Sequence, residues 1–480
     1  MENQHSPTRK LFSVWRCNTF RLVFFTCMPF VASMPAHADL RNVPGINEVE
    51  YNLANAIYKV CPELAGMETR NAQQQNLFIA CNRMIHTSNA LQNSGASDNA
   101  LNINEDQLRT SLGELAHEEV LTQGTTTKDS SQLQSSNIAT RLSSIRTGTA
   151  GGRGGLVLNF DGQRLAFDQQ TRDSLKQARG GAAGDGNGGL GWFVNGGVSF
   201  GDKNATSRED GFDFDSGSVT TGVDWQFPNE NLVGFAVGYS ELTADVVDTK
   251  DVAKFKGYSS SLYGTVYLGT WYFDMVGSYG KNDYKTTRDL TTVTSALNSE
   301  EAANLASTLP SLIKGSTDGE YSSVALGFGR EFQAHDYSWT PYGRVSWFNS
   351  TINGYSEDGS SGLELKVGSQ EKYSLEGVLG FDLTKSVSAK DAVLVPQLLV
   401  EYHHEFRDDH PVVNARYLFD TTNSTFEAPT DKPDKDYFII GTGVAILSQG
   451  GHQGFLYYET SHDLKNTNSN FILLGYRGEI

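Results

Sequence analysis

Cysteine, proline and positive charge are all scarce in this chain. Its 480 residues hold four Cys and 12 Pro, and the formal net charge is −18. That acidic balance argues against nucleic acid and anionic headgroups as partners. Hydropathy is low overall, and past the N-terminus no apolar run reaches the ~20 residues of a membrane helix. Chemistry-bearing motifs are missing too. Within residues 39–150 there is no G-x-S-x-G and no H-E-x-x-H, and the only histidines are His86 and His117, so a catalytic function is not expected. The glycines between 147 and 190 lack the Gly-Lys-Ser/Thr of a phosphate loop, and no cofactor is expected. "YHHEFRDDH" brings His403 and His404 close in sequence, but a strand sends them to opposite faces, and no metal site is read there.

What is present begins with an export signal. Lys10, Arg16 and Arg21 precede the apolar run "LVFFTCMPFVASM", and small Ala36 and Ala38 stand before Asp39. This predicts a signal peptide over 1–38, cut between Ala38 and Asp39. Cys17 and Cys27 leave with it. The remaining pair, Cys61 and Cys81, lies on adjacent helix-like segments and reads most simply as one disulfide, with free thiols or a metal pair as alternatives.

Residues 39–146 read as a helical N-terminal region, a short passenger. "INEVEYNLANAIYKVC", "RNAQQQNLFIACNRMIH" and "NINEDQLRTSLGELAHEEVLTQG" carry apolar residues at helical spacing, the last with Asn104 as N-cap. A fourth, thinly apolar helix is read over "DSSQLQSSNIATRLSSIR". Residues 147–190 form a Gly-rich linker, with a hairpin signal at "LVLNFDGQRLAF" and a polar helix over 168–179.

From residue 191 to 480 the pattern changes to period two. Twelve alternating segments, close to 191–201, 215–227, 231–243, 254–268, 270–284, 319–332, 336–348, 370–383, 391–405, 434–447, 452–461 and 467–478, suit tilted membrane strands. Short connections such as "PNE", "GT" and "QAH" alternate with longer ones, as expected when one rim has tight periplasmic turns and the other surface loops. The fold class is therefore all-β, a 12-stranded antiparallel transmembrane barrel in an up-and-down meander, preceded by a small α-helical region. Trp192, Trp225, Trp271 and Trp339 fall beside the short turns, like an aromatic girdle. Val233, Phe235, Val237 and Tyr239 are predicted to face lipid. Gly234, Ala236, Gly238 and Ser240 are predicted to face the lumen, as are Asp224, Arg344, Gln397 and Glu401. Such a lumen admits one helix. The segments 168–179 and 131–146 both qualify, and the first lies nearer the barrel.

"GGLGWFVNGGVSFGDKNATSREDGFDFDSGSVTTGVDWQF", "LVGFAVGYSELTADV", "WTPYGRVSW", "PQLLVEYHHEF" and "DYFIIGTGVA" together resemble an autotransporter β-domain, the translocator of type V secretion, over roughly 190–480. The resemblance implies a Gram-negative outer-membrane barrel that translocates or displays its own N-terminal segment. It also implies periplasmic chaperones, the barrel-assembly machinery and outer-membrane lipid as partners, and a monomeric barrel. The end, "FILLGYRGEI", departs from the family's aromatic terminus. The alternative reading is a structural or adhesive barrel with a periplasmic helical region and a plugged pore.

Overall fold

The structure, a computed structural model, describes residues 39–92, 97–146, 158–160, 163–165, 189–247, 249–299, 305, 308–389, 392–407, 410–448 and 453–479. Among them, twelve strands make one antiparallel ring. They are β1 (Gly189–Lys203), β2 (Phe212–Gln226), β3 (Leu232–Val246), β4 (Val252–Leu268), β5 (Trp271–Asp289), β6 (Leu312–Arg330), β7 (Tyr337–Ile352), β8 (Gln370–Lys385), β9 (Ala392–Glu405), β10 (Asp436–Ser448), β11 (Gln453–His462) and β12 (Thr467–Glu479). Each pairs with the next, and β12 closes onto β1 with Thr467 opposite Lys203 and Glu479 opposite Gly191. Closure leaves no unpaired sheet edge.

The expected alternation is present on β3. Val233, Phe235 and Val237 point outward, while Gly234 and Ala236 are buried. The strands outrun the segments read from sequence at their long-loop ends. β5 and β6 stay paired past Lys285 opposite Ser316. There Lys281, Asp283 and Lys285 are exposed while Asn282, Tyr284 and Thr286 are buried. The apolar face stops but the ladder does not, so the barrel projects as a polar collar above the lipid band.

The N-terminal helices stand on that collar. α1 (Glu48–Gly66), α2 (Ala72–Leu91) and α3 (Glu105–Ala116) each start with an Asn N-cap in a reciprocal capping box, Asn47 with Glu50, Asn71 with Gln74 and Asn104 with Gln107. Cys61 and Cys81 form a disulfide between α1 and α2. Their sequence separation of 20 corresponds to about 3 kcal/mol of loop-closure entropy removed from the unfolded chain.

The third predicted helix is not continuous. His117 takes a left-handed backbone, φ 62°, which ends α3 and redirects the chain into α4 (Glu119–Arg146). The boundary between cap and pore segment therefore lies at His117 rather than near residue 147, because one αL residue breaks the i→i−4 ladder.

The long loops fold with the helices. The β5–β6 loop carries α5 (Thr291–Asn298). Segments Tyr355–Ser356, Leu365–Val367, Val412–Tyr417 and Phe426–Pro429 make a four-stranded sheet from the β7–β8 and β9–β10 loops. One hydrophobic core joins all of them. Leu53, Ile57, Leu77, Met84 and Leu112 of the helices share it with Val293 and Leu297 of α5, and with Leu365, Val413 and Phe426 of the loop sheet.

Candidate functional site

The lumen is occupied by α4. Its sequence is rich in Ser, Thr and Gln, and its apolar contacts with the wall are limited to a few residues such as Leu133, Ile138 and Leu142. The polar side chains that recur at helical spacing find polar partners on the barrel wall. From the long-loop end downward, Thr127 Oγ1 lies 2.6 Å from Tyr284 Oη, and Ser130 Oγ 2.6 Å from Ser240 Oγ. Thr220 Oγ1 donates to Gln134 Oε1 (2.7 Å), and Asn137 Nδ2 donates to Thr220 Oγ1 (2.9 Å). Asn195 Nδ2 donates to the Asn137 carbonyl (2.9 Å). Near the short-turn end the buried Arg141 grips Asp224, Nε to Oδ2 at 2.7 Å and Nη2 to Oδ1 at 2.6 Å, and Tyr263 Oη donates to the same carboxylate at 2.9 Å. This forked, charge-assisted pair is the strongest single link.

The pore helix is thus the segment 119–146. It contains the 131–146 candidate and extends it upward. The 168–179 candidate, which sequence proximity favoured, lies outside the described residues, as do Ala36 and Ala38. The two predicted clearance glycines have different reasons to be Gly. A Cβ on Gly238 would sit 2.1 Å from Gln134 Oε1 of α4, whereas one on Gly234 would meet the Tyr263 ring of neighbouring β4 at 2.2 Å. Of these two, Gly238 makes room for the helix.

α4 leans on the wall formed by β1–β6 and leaves a cavity of about 830 Å³ along the other wall, lined in part by Gln132, Ser136, Arg344, Gln397, Glu401 and Glu459. Arg344 Nη2 donates to Glu401 Oε2 (3.2 Å). His403 bridges two carboxylates, with Nε2 2.8 Å from Glu401 Oε2 and Nδ1 3.0 Å from Glu376 Oε1, and it stacks on Tyr437. His404 points outward to Asp436. Lys128 of α4 donates to Glu405 Oε2 (3.1 Å). The charges compensate one another along this wall. The G-x-S-x-G at Gly197–Gly201 is not a nucleophile elbow. Ser199 lies mid-strand in β1, opposite Ser216 and Phe471.

Arg141 and the Thr127–Asn137 face were missed from sequence. The available signal was their recurrence at three- and four-residue steps. The predicted Trp residues lie at the short-turn rim, where Trp225 is opposite Leu190 and Trp192 packs on Tyr476. A second aromatic belt, Tyr239, Tyr258, Tyr279, Tyr373, Tyr402 and Tyr458, marks the other edge. Four of its hydroxyls donate to acidic neighbours, Tyr239 to Glu241, Tyr279 to Glu320, Tyr373 to Glu371 and Tyr402 to Asp436.

At the upper mouth the cap is tied to the collar. Glu118 accepts from Asn47 Nδ2 (2.6 Å) and from the Asp210 N–H (2.7 Å). Burial and the nearby Asp210 push its carboxyl well above the ordinary range. Glu114 accepts the N–H groups of Thr292 (2.8 Å) and Val293 (2.9 Å), closing the start of α5. Burial raises its pKa against the lowering pull of those bonds.

A barrel of this topology with a helix threaded through it matches one family model, the autotransporter beta-domain, over residues 192–459. The chain belongs to the autotransporter β-domain family. An autotransporter β-domain is an outer-membrane barrel of Gram-negative bacteria, and its outer face meets lipid. Solved structures similar to this chain include the translocator domain of the autotransporter NalP from Neisseria meningitidis, at 15% identity and TM-score 0.46, covering 60% of this chain and 88% of that one. The β-domain of the Bordetella autotransporter BrkA is 17% identical (TM-score 0.43, 61% and 100% covered). The transport unit of the autotransporter AIDA-I from Escherichia coli is 13% identical (TM-score 0.44, 61% and 90%). At these scores the family assignment rests on the sequence match. No curated protein matches the chain.

Proposed function

We propose that this autotransporter-type barrel carries its own N-terminal helices across the outer membrane and retains them at the cell surface as a docked cap, with α4 left in the pore as the tether. The observation that carries this reading is the path of the chain. α1–α3 share a core with the long loops, and α4 enters at that rim and is gripped by Asp224 next to the tight turns. Tight turns face the periplasm in barrels of this class, so the cap would face outward. The reading includes removal of residues 1–38 on export, a monomeric barrel, assembly with periplasmic chaperones and the barrel-assembly machinery, and no catalytic step. Folding of the cap would supply the driving force.

The test is protease shaving. An epitope inserted after Asn99, in the exposed turn before α3, should be lost when intact cells are treated with proteinase K, while the barrel survives in the membrane. Protection of the tag until the outer membrane is opened would place the helices in the periplasm and reject display. Release of residues 39–116 into the medium by untreated cells would reject retention.

A further inference from the structure

The geometry points to a transition-metal site, of zinc type, at the hinge between cap and pore helix, with His117, Glu119 and Glu357 as ligands. His117 and Glu119 are both 0% exposed and Glu357 is 3% exposed. His117 Nδ1 lies 2.5 Å from Glu119 Oε1 and 3.6 Å from Glu357 Oε1, and the ligand atoms of all three fall within 4.8 Å of one another. Nδ1 and both Glu119 oxygens make no aligned hydrogen bond among the described residues; the charged groups around this carboxylate are His117, Arg288 and Asp251.

The neighbours account for the other ligating groups. Glu357 is held by Arg288, Nε to Oε1 at 3.1 Å and Nη2 to Oε2 at 2.5 Å. The other imidazole nitrogen, Nε2, lies 2.8 Å from Tyr355 Oη, the outer-shell contact that orients a metal-binding His and turns Nδ1 toward the metal. Asp251, also 0% exposed, has a second orphan oxygen, Oδ2, in the same pocket. Arg288 is ion-paired with Glu357, and a divalent ion would sit among the carboxylates of Glu119, Glu357 and Asp251.

One nitrogen with carboxylate oxygens is a donor set for zinc or a similar first-row ion and not for calcium. Bond lengths of about 2.0–2.2 Å place tetrahedral ligands roughly 3.4 Å apart. The Nδ1–Glu357 spacing meets this already, and Glu119 needs to swing back by about 1 Å. Bound there, the ion would pin the left-handed turn at His117 to the β7–β8 loop. No local spacing announces the site, since its ligands come from positions 117, 119 and 357.

The experiment uses the full-length protein extracted from outer membranes in detergent, stripped with EDTA and dialysed against micromolar ZnCl2. Elemental analysis should find about one tightly held zinc per chain. His117→Asn, which tolerates the left-handed backbone, and Glu119→Gln should bring it to background. The exposed control His404→Asn should leave it unchanged. Tyr355→Phe, which keeps every ligand, should weaken binding about tenfold or more, a loss that a packing role alone would not produce. Heat-modifiable gel migration verifies that each barrel is folded. No bound zinc in the wild type, or equal zinc in wild type and His117→Asn, overturns the assignment.

Discussion

At the scale of single residues, the two faces of a barrel strand have different solvents, and β3 separates them cleanly. Val237 is 44% exposed on the outer face, so Val237→Arg would put a cation into hydrocarbon at a cost of about 2–4 kcal/mol. The neighbouring Gly238 faces Gln134, and Gly238→Trp should leave insertion intact while pushing α4 off the wall. Membrane fractionation should therefore show loss of assembled barrel only for Val237→Arg. Conductance in planar bilayers should rise only for Gly238→Trp. The reverse pattern would mean that the faces are inverted. This alternation was legible because period two survives wherever one face meets lipid. The upper tyrosine belt was not, because Tyr residues also fill the lumen, as Tyr263 and Tyr284 do, and the residue type does not reveal its face.

At the scale of elements, α4 is held by a polar face and by a few apolar anchors, Leu133, Ile138 and Leu142, packed on the barrel wall. Arg141 with Asp224 is a buried ion pair near the short-turn end. Removing one partner strands the other charge, at about 3–5 kcal/mol. Arg141→Ala and Asp224→Ala should each loosen the pore helix, raising conductance and hydrogen exchange in 130–146. The double variant should be milder than the sum of the two. Additive effects would show that the pair does not act as a unit. The helical content of 39–146 is legible from apolar spacing in α1–α3, but the identity of the pore helix is not. Serines and threonines at three- and four-residue steps look the same on a solvated helix and on one lying against Thr220, Ser240 and Ser261. Chain proximity to the barrel favours 168–179, and it is an uninformative guide because distance along the sequence does not fix which segment enters the lumen.

At the scale of the whole molecule, the loops and the N-terminal helices depend on one another. Their core includes Leu53 and Ile57 from one end of the chain and Val413 and Phe426 from the other. Deleting 39–116 should leave a barrel that still shows heat-modifiable migration. It should expose the loops around Val293 and Phe426 to protease, since their apolar side chains lose their cover. Loops that stay resistant in the deletion would show that they fold alone. The barrel was legible in the sequence and the cap core was not. Its loop contributors sit in short elements, α5 and the strands Val412–Tyr417 and Phe426–Pro429, too brief for a period to stand out in the sequence. The shared core also sets an order in time. Asn52 donates to the carbonyl of Glu427, 375 positions later, and contacts so distant in sequence form late. The first helices of the chain cannot reach their final packing until the loop before β10 is in place, so a finished cap requires nearly the whole length of the chain to have reached the same rim.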